Sequence, residues 1–313
     1  MPSFEDLQKD LCRQYGIDLD KHTLEGSVNE LASSLFPPVA AKTGRTEEEL
    51  RKSLKSVHLD HRPLIDGHAT SQDNWRTFEI SVSEGLLIFH HKMVKLFVSR
   101  VSVVGNGQKM VEETTISHEE TLSIAKRLIA AFWAGNFFET PGLSLASLTK
   151  SQIFLSSILL TYSESFVIAH EFGHMILQAF PDSTRRERMI LMGVEDSMVR
   201  PALKKFPCAD EPEALRNWME ELAADYVGIN LCARLQDSAI QKTMIQAAGM
   251  ISLMMCDILE KCRAKVGGGD WQDLTHPPSE LRVEVLQSLL DWPAGMEFGD
   301  VFHKFSEYII AGI

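Results

Sequence analysis

The sequence predicts a predominantly helical α+β fold with one small sheet. Three observations predict it: long stretches with apolar residues at helical spacing between capping and stop signals, one short run with strand alternation, and no repeat, low-complexity tract or heptad pattern. At 313 residues the chain suffices for one large domain or two small ones, and 44% hydrophobic with 24% charged residues is ordinary for a packed globular protein. A loose division separates an N-terminal helical region with a short strand, 1–145, from a C-terminal core, 146–313; the two can belong to the same domain.

In chain order, residues 3–60 carry helical patterning broken at Phe36-Pro37-Pro38, and Thr46 with Glu49 reads as a capping box. A polar loop is expected from His58 to Asn74. Phe78, Ile80 and Val82 then alternate within residues 75–83, the strand signal, and Gly85 opens an apolar helical run from Leu86 to Val104. His118 to Trp133 forms another helix. From Ser151 to Phe180 the residues Ile153, Phe154, Leu160, Phe166, Val167, Ile168, Met175 and Ile176 keep helical spacing, and Pro181-Asp182 is a stop signal. Ser183 to Lys205, with Arg185, Arg186, Arg188, Arg200, Lys204 and Lys205, reads as a solvated connection or as a gate. The next helical pattern opens at Asp210-Glu211-Pro212 and reaches about Gln236. A flexible glycine loop at Val266–Asp270 precedes Thr275-His276-Pro277-Pro278, which sets His276 just before a new helix.

Composition narrows the partners. With 31 basic against 43 acidic residues the net charge is -12, which argues against nucleic acid or an anionic membrane and mildly favours basic substrate segments. Five cysteines, Cys12, Cys208, Cys232, Cys256 and Cys262, form no C-x-x-C pair, and the start lacks a basic and apolar signal layout, so a cytoplasmic location is expected. The longest uncharged windows, Ser151–Ser163 and Thr243–Cys256, fall short of the roughly 20 apolar residues of a span, so no membrane span is expected.

Within the 151–180 helix stands His170-Glu171-Phe172-Gly173-His174. Histidines at i and i+4 share a helical face, so both imidazoles can reach one metal ion with Glu171 beside it. A buried carboxylate among apolar residues needs a compensating charge, which a metal with its water supplies. The third ligand comes from Trp218-Met219-Glu220-Glu221-Leu222-Ala223-Ala224-Asp225: two histidines with Glu221 make the common donor set of a catalytic zinc, and Asp225, one turn on, can accept the free ring N–H of a ligand histidine. Glu220, with Ala224 at i+4, is the weaker candidate. The same donors suit manganese, iron or cobalt, and Zn2+ is the preferred cofactor on availability. Glu171 is then the general base, and His276, Arg282, Tyr162 and Tyr226 are candidate donors to a developing oxyanion, His276 first. His276 could instead cap its helix or contact Glu280. His58, His61, His68, His90 and His91 are assigned surface or core roles.

His170-Glu171-Phe172-Gly173-His174 followed by Glu221-Leu222-Ala223-Ala224-Asp225 resembles the gluzincin pattern, and Thr275-His276-Pro277-Pro278 with Arg282 resembles the segment after the third ligand in CAAX-processing and HtpX-type metallopeptidases. The resemblance covers residues 165–285. It implies a zincin-like core whose active-site helix leans on a small sheet, with the 77–82 strand as the edge for an extended substrate. It implies zinc-dependent endopeptidase activity on a protein or peptide, with His170, His174 and Glu221 as ligands, Glu171 as base and Asp225 as the orienting carboxylate. Two alternatives stay open: a toxin or phage-defence effector similar in layout to the Lit-type peptidases, and a non-catalytic regulatory or binding module on the same fold.

Overall fold

The computed structural model describes residues 24–65, 67–73, 75–104, 109–112, 115–205, 211–235, 239–267, 276–290 and 298–313. The expected helical patterning of residues 3–23, the start of the glycine loop's continuation at 268–270 and Thr275 lie outside them. Three short helices come first, α1 (Leu24–Ser34), α2 (Phe36–Thr43) and α3 (Glu47–Ser53). Pro37 and Pro38 open α2 where a break was expected, because a proline in the first turn gives up no helical hydrogen bond. The capping box of α3 is present: Thr46 Oγ1 accepts from Glu49 N, and the Glu49 carboxylate accepts from Thr46 N at 2.8 Å.

Two strands of a three-stranded sheet enter the loop expected at 58–74, at residues 58–60 and 68–70. The sheet contains β1 (Leu54–Asp60), β2 (His68–Thr70) and β3 (Phe78–Ser83) in the order β1-β3-β2, with β1 parallel and β2 antiparallel to β3. Val57 and Ala69 both pair with Ile80. The 77–82 strand is therefore central and not an edge, a correction with a visible cause: Phe78, Ile80 and Val82 are buried, and so are Ser81 and Ser83 on the other face. Only Val57 of β1 is buried, so that strand carries a polar sequence.

The apolar run 86–104 also divides. Helix α4 (Glu84–Val98), capped by Ser83, ends before β4 (Val101–Val104), which pairs antiparallel with β5 (Lys109–Glu112). Helix α5 (His118–Trp133) has the expected bounds. The long helix α6 (Lys150–Ala179) starts at a capping box of Thr149 and Gln152 and runs through the middle of the molecule, with α4 packed along it and β2 and β3 across it. Then follow α7 (Arg185–Val194), a π turn (Glu195–Val199), α8 (Arg200–Leu203), α9 (Glu211–Ala233), α10 (Ala239–Gly267), α11 (Ser279–Leu289) and α12 (Phe298–Gly312).

One apolar core joins α1–α6, α10 and α12, and a smaller one surrounds the fully buried Trp218 with Leu177, Leu191, Val199, Leu203 and Leu222. The 183–205 connection is helical and largely solvated, with Arg185, Arg186, Arg188, Lys204 and Lys205 exposed, and is pinned by the buried Leu191, Val199 and Leu203. Two helical stretches, Lys150–Ala179 and Gln241–Val266, are long and apolar enough to cross a membrane by length and composition, and 61% and 83% of their apolar windows are buried inside the protein.

Candidate metal centre

Helices α6 and α9 meet backbone to backbone. A Cβ on Gly173 of α6 would fall 2.7 Å from Ala224 O, and one on Gly228 of α9 would fall 2.9 Å from His170 N. These two glycines and the alanines beside them let the helices approach closely. The approach brings the 170–174 face of α6 against the 221–225 face of α9.

There His170 Nε2 and His174 Nε2 stand 3.0 Å apart, His174 Nε2 is 3.3 Å from Glu221 Oε1, and His170 Nε2 is 3.4 Å from Glu221 Oε2. Donors held about 2.1 Å from a tetrahedral ion stand about 3.4 Å apart, so the spacing fits one zinc-sized cation. Glu221 Oε2 is buried and makes no hydrogen bond among the described residues, an atom that a cation would satisfy. No other His, Cys, Asp or Glu group among the described residues has ligand atoms converging within 4.8 Å.

Behind the cluster, His170 Nδ1 stands 2.9 Å from Asp225 Oδ1. The nearby Asp225 carboxylate favours a proton on Nδ1 by its charge, which leaves Nε2 to face the cluster. Asp225, 0% exposed, also accepts Arg282 Nε at 2.8 Å and Arg282 Nη2 at 2.7 Å, a two-point pair that burial makes necessary. Arg282 thus supports Asp225, and its Nη2 also lies 4.0 Å from Glu221 Oε2.

Electrostatics follow from that arrangement. Burial works against the charged form of His170, but the hydrogen bond and charge of Asp225, with Glu221, outweigh it and raise its pKa to about 10. His174 is shifted the same way, with burial overcome by Glu221. Burial would raise both carboxyl groups, yet the histidines hold Glu221 well below its ordinary value and Arg282 holds Asp225 below its own. The acids around the two histidines are what raise their pKa values, and a divalent cation held by His170, His174 and Glu221 would answer the same negative charge.

Glu171 is 1% exposed and faces the head of β2, where a Cβ on Gly67 would fall 2.6 Å from Glu171 Oε1 and 2.7 Å from Ser81 O. His276 reaches the rim: its Nε2 lies 3.6 Å from Glu221 Oε1 and its side chain is 35% exposed. The capping alternative for His276 is filled by Glu260 of α10, which accepts Ser279 N at 3.1 Å and Ser279 Oγ at 2.7 Å; Glu280 pairs with Lys261. Tyr226 lines a separate cavity, Glu220 turns to Gln178, and buried His90 contacts Ser163. Four positioning residues were not among the sequence candidates, Gly67, Gly173, Gly228 and Glu260. Gly228 had a signal, since a glycine inside a helix pattern marks close approach; Glu260 had none. No family profile, curated protein or solved structure matches the chain.

Proposed function

We propose that this protein is a zinc-dependent peptidase. The observation that carries the reading is the convergence of His170, His174 and Glu221 from two helices, with Glu171 next in sequence to a ligand and Glu221 Oε2 buried without a hydrogen bond among the described residues. His170, His174 and Glu221 would hold the ion, which when bound supplies Lewis-acid activation of water and of a peptide carbonyl. Glu171 takes the proton from the attacking water and returns it to the leaving amine. Asp225, locked by Arg282, keeps His170 in the tautomer that presents Nε2. His276, partly exposed on the rim, donates to the oxygen that gains negative charge.

The sheet supplies a place for substrate. Among the described residues β2 pairs only with β3, so its other edge can add an extended peptide, and Gly67 at its head lies against Glu171. A peptide added there passes the base within a residue or two.

The test is elemental analysis of purified wild type, His174→Ala and Glu221→Ala, with hydrolysis of an unfolded protein followed alongside. About one zinc per chain is expected in wild type and none in either variant. Glu171→Gln keeps the ion and loses about 10²–10⁴-fold in hydrolysis. Wild type that takes up no divalent metal under reconstitution sinks the proposal.

A further inference from the structure

A second site stands apart from the metal cluster. A cavity of about 140 Å³ opens between α2, α7 and α9, lined by Lys42, Arg186, Glu187, Asn230 and Arg234 with Tyr226 on one wall. Its charges are unevenly paired. Lys42 Nζ donates to Glu187 Oε1 at 2.5 Å, with both side chains 12% exposed, and this pair is neutral. The guanidiniums of Arg186 and Arg234 make no ion pair among the described residues. Two positive charges with no carboxylate partner among the described residues therefore face one cavity, in a chain whose net charge is -12.

The remaining oxygen of the acid selects the ligand. Glu187 Oε2 is buried and accepts no hydrogen bond among the described residues. A fully deprotonated anion would satisfy the guanidiniums but set an acceptor oxygen against this one, a repulsive contact. A phosphate group that retains a proton answers both: its free oxygens accept from Arg186 and Arg234, and its P–OH donates to Glu187 Oε2. We infer that the cavity between α2, α7 and α9 binds a protonated phosphate group, as inorganic phosphate or a small phosphomonoester, and rejects sulfate. Bound there, it would tie α7 to α9, the helix that carries Glu221 and Asp225.

Isothermal titration of the full chain at about pH 6, where inorganic phosphate and much of phosphoserine keep a P–OH proton and sulfate has none, with the three anions at matched ionic strength tests this. Saturable binding of phosphate or phosphoserine is expected, with sulfate at least about tenfold weaker; the tighter of the first two identifies the free ion or the ester as the source. Arg186→Ala and Arg234→Ala, both at exposed positions, weaken phosphate about tenfold or more through loss of a charge-assisted hydrogen bond. Glu187→Gln, whose amide can donate, admits sulfate as well as phosphate. Equal binding of sulfate and phosphate by wild type, no saturable phosphate binding, or phosphate affinity unchanged in both arginine variants overturns the proposal. None of these readouts involves peptide hydrolysis.

Discussion

Asp225 holds the site together at the residue scale, because it is fully buried and has to answer two neighbours at once. Its Oδ1 faces both His170 Nδ1 and Arg282 Nη2, and its Oδ2 takes Arg282 Nε. Removing the guanidinium strands a charge in a dry place. Arg282→Met is expected to cost about 3–5 kcal/mol in urea unfolding, the range for breaking one half of a buried pair. Adding Asp225→Asn to Arg282→Met recovers part of that loss, since the double variant no longer buries an unpaired charge. Additive losses would mean that the two side chains do not depend on each other. The residue types of this site were legible in the sequence because i and i+4 spacing places them on one helical face. The Asp225–Arg282 pair was not: its members lie 57 positions apart, and only the packing of α11 on α9 brings them together.

Glycines decide the geometry at the scale of elements. The α6–α9 contact puts Gly173 against Ala224 and Gly228 against the backbone of Ala169 and His170, so neither helix can carry a side chain at the crossing without moving the other. Gly228→Ala gains about 1 kcal/mol of helix propensity but forces a methyl 2.9 Å from His170 N, and overpacking against backbone costs about 1–3 kcal/mol. Overpacking wins here because the contacted atoms are main chain and cannot rotate away. A lower melting temperature is expected, together with zinc affinity reduced about 10-fold or more as Glu221 shifts relative to His170 and His174. A variant more stable than wild type, with unchanged zinc binding, would show that the crossing tolerates a side chain. The helices α5, α6 and α9 could be read closely from periodicity and caps, since both signals are local. The sheet could not. β1 buries only Val57 and so resembles a polar loop, β2 has three residues, and only Ser99-Arg100 separate the apolar β4 from α4. Strand partners depend on residues far along the chain, and Gly67 meets Glu171 only because β2 folds back on β3.

Ionisable groups away from the candidate metal site add to how the whole molecule responds to pH. Burial pushes the His90 pKa down to about 3 and the pKa values of Glu164 and Glu260 up to about 7. Unfolded, an imidazole takes a proton below about 6.5, so His90 lowers stability as pH falls from there towards 3. The carboxyl groups act in the other direction: they ionise near 4.5 in the unfolded chain but only near 7 in the folded one, so the stability they contribute below 4.5 is lost as pH rises through 7. Glu260 matters most of the three, because its carboxyl group caps α11 at Ser279 and so supports the turn that delivers His276 and Arg282. Glu260→Gln keeps an acceptor for Ser279 N and removes the ionisation. Urea unfolding of the variant and wild type at pH 4.5 and pH 8 should give similar stabilities at the lower pH and a variant more stable by about 1–3 kcal/mol at the higher one. The difference should open between pH 5 and 7 and then level off. A variant that is less stable by the same amount at both pH values would mean that hydrogen-bond geometry at Ser279, and not the buried charge, governs this corner of the fold.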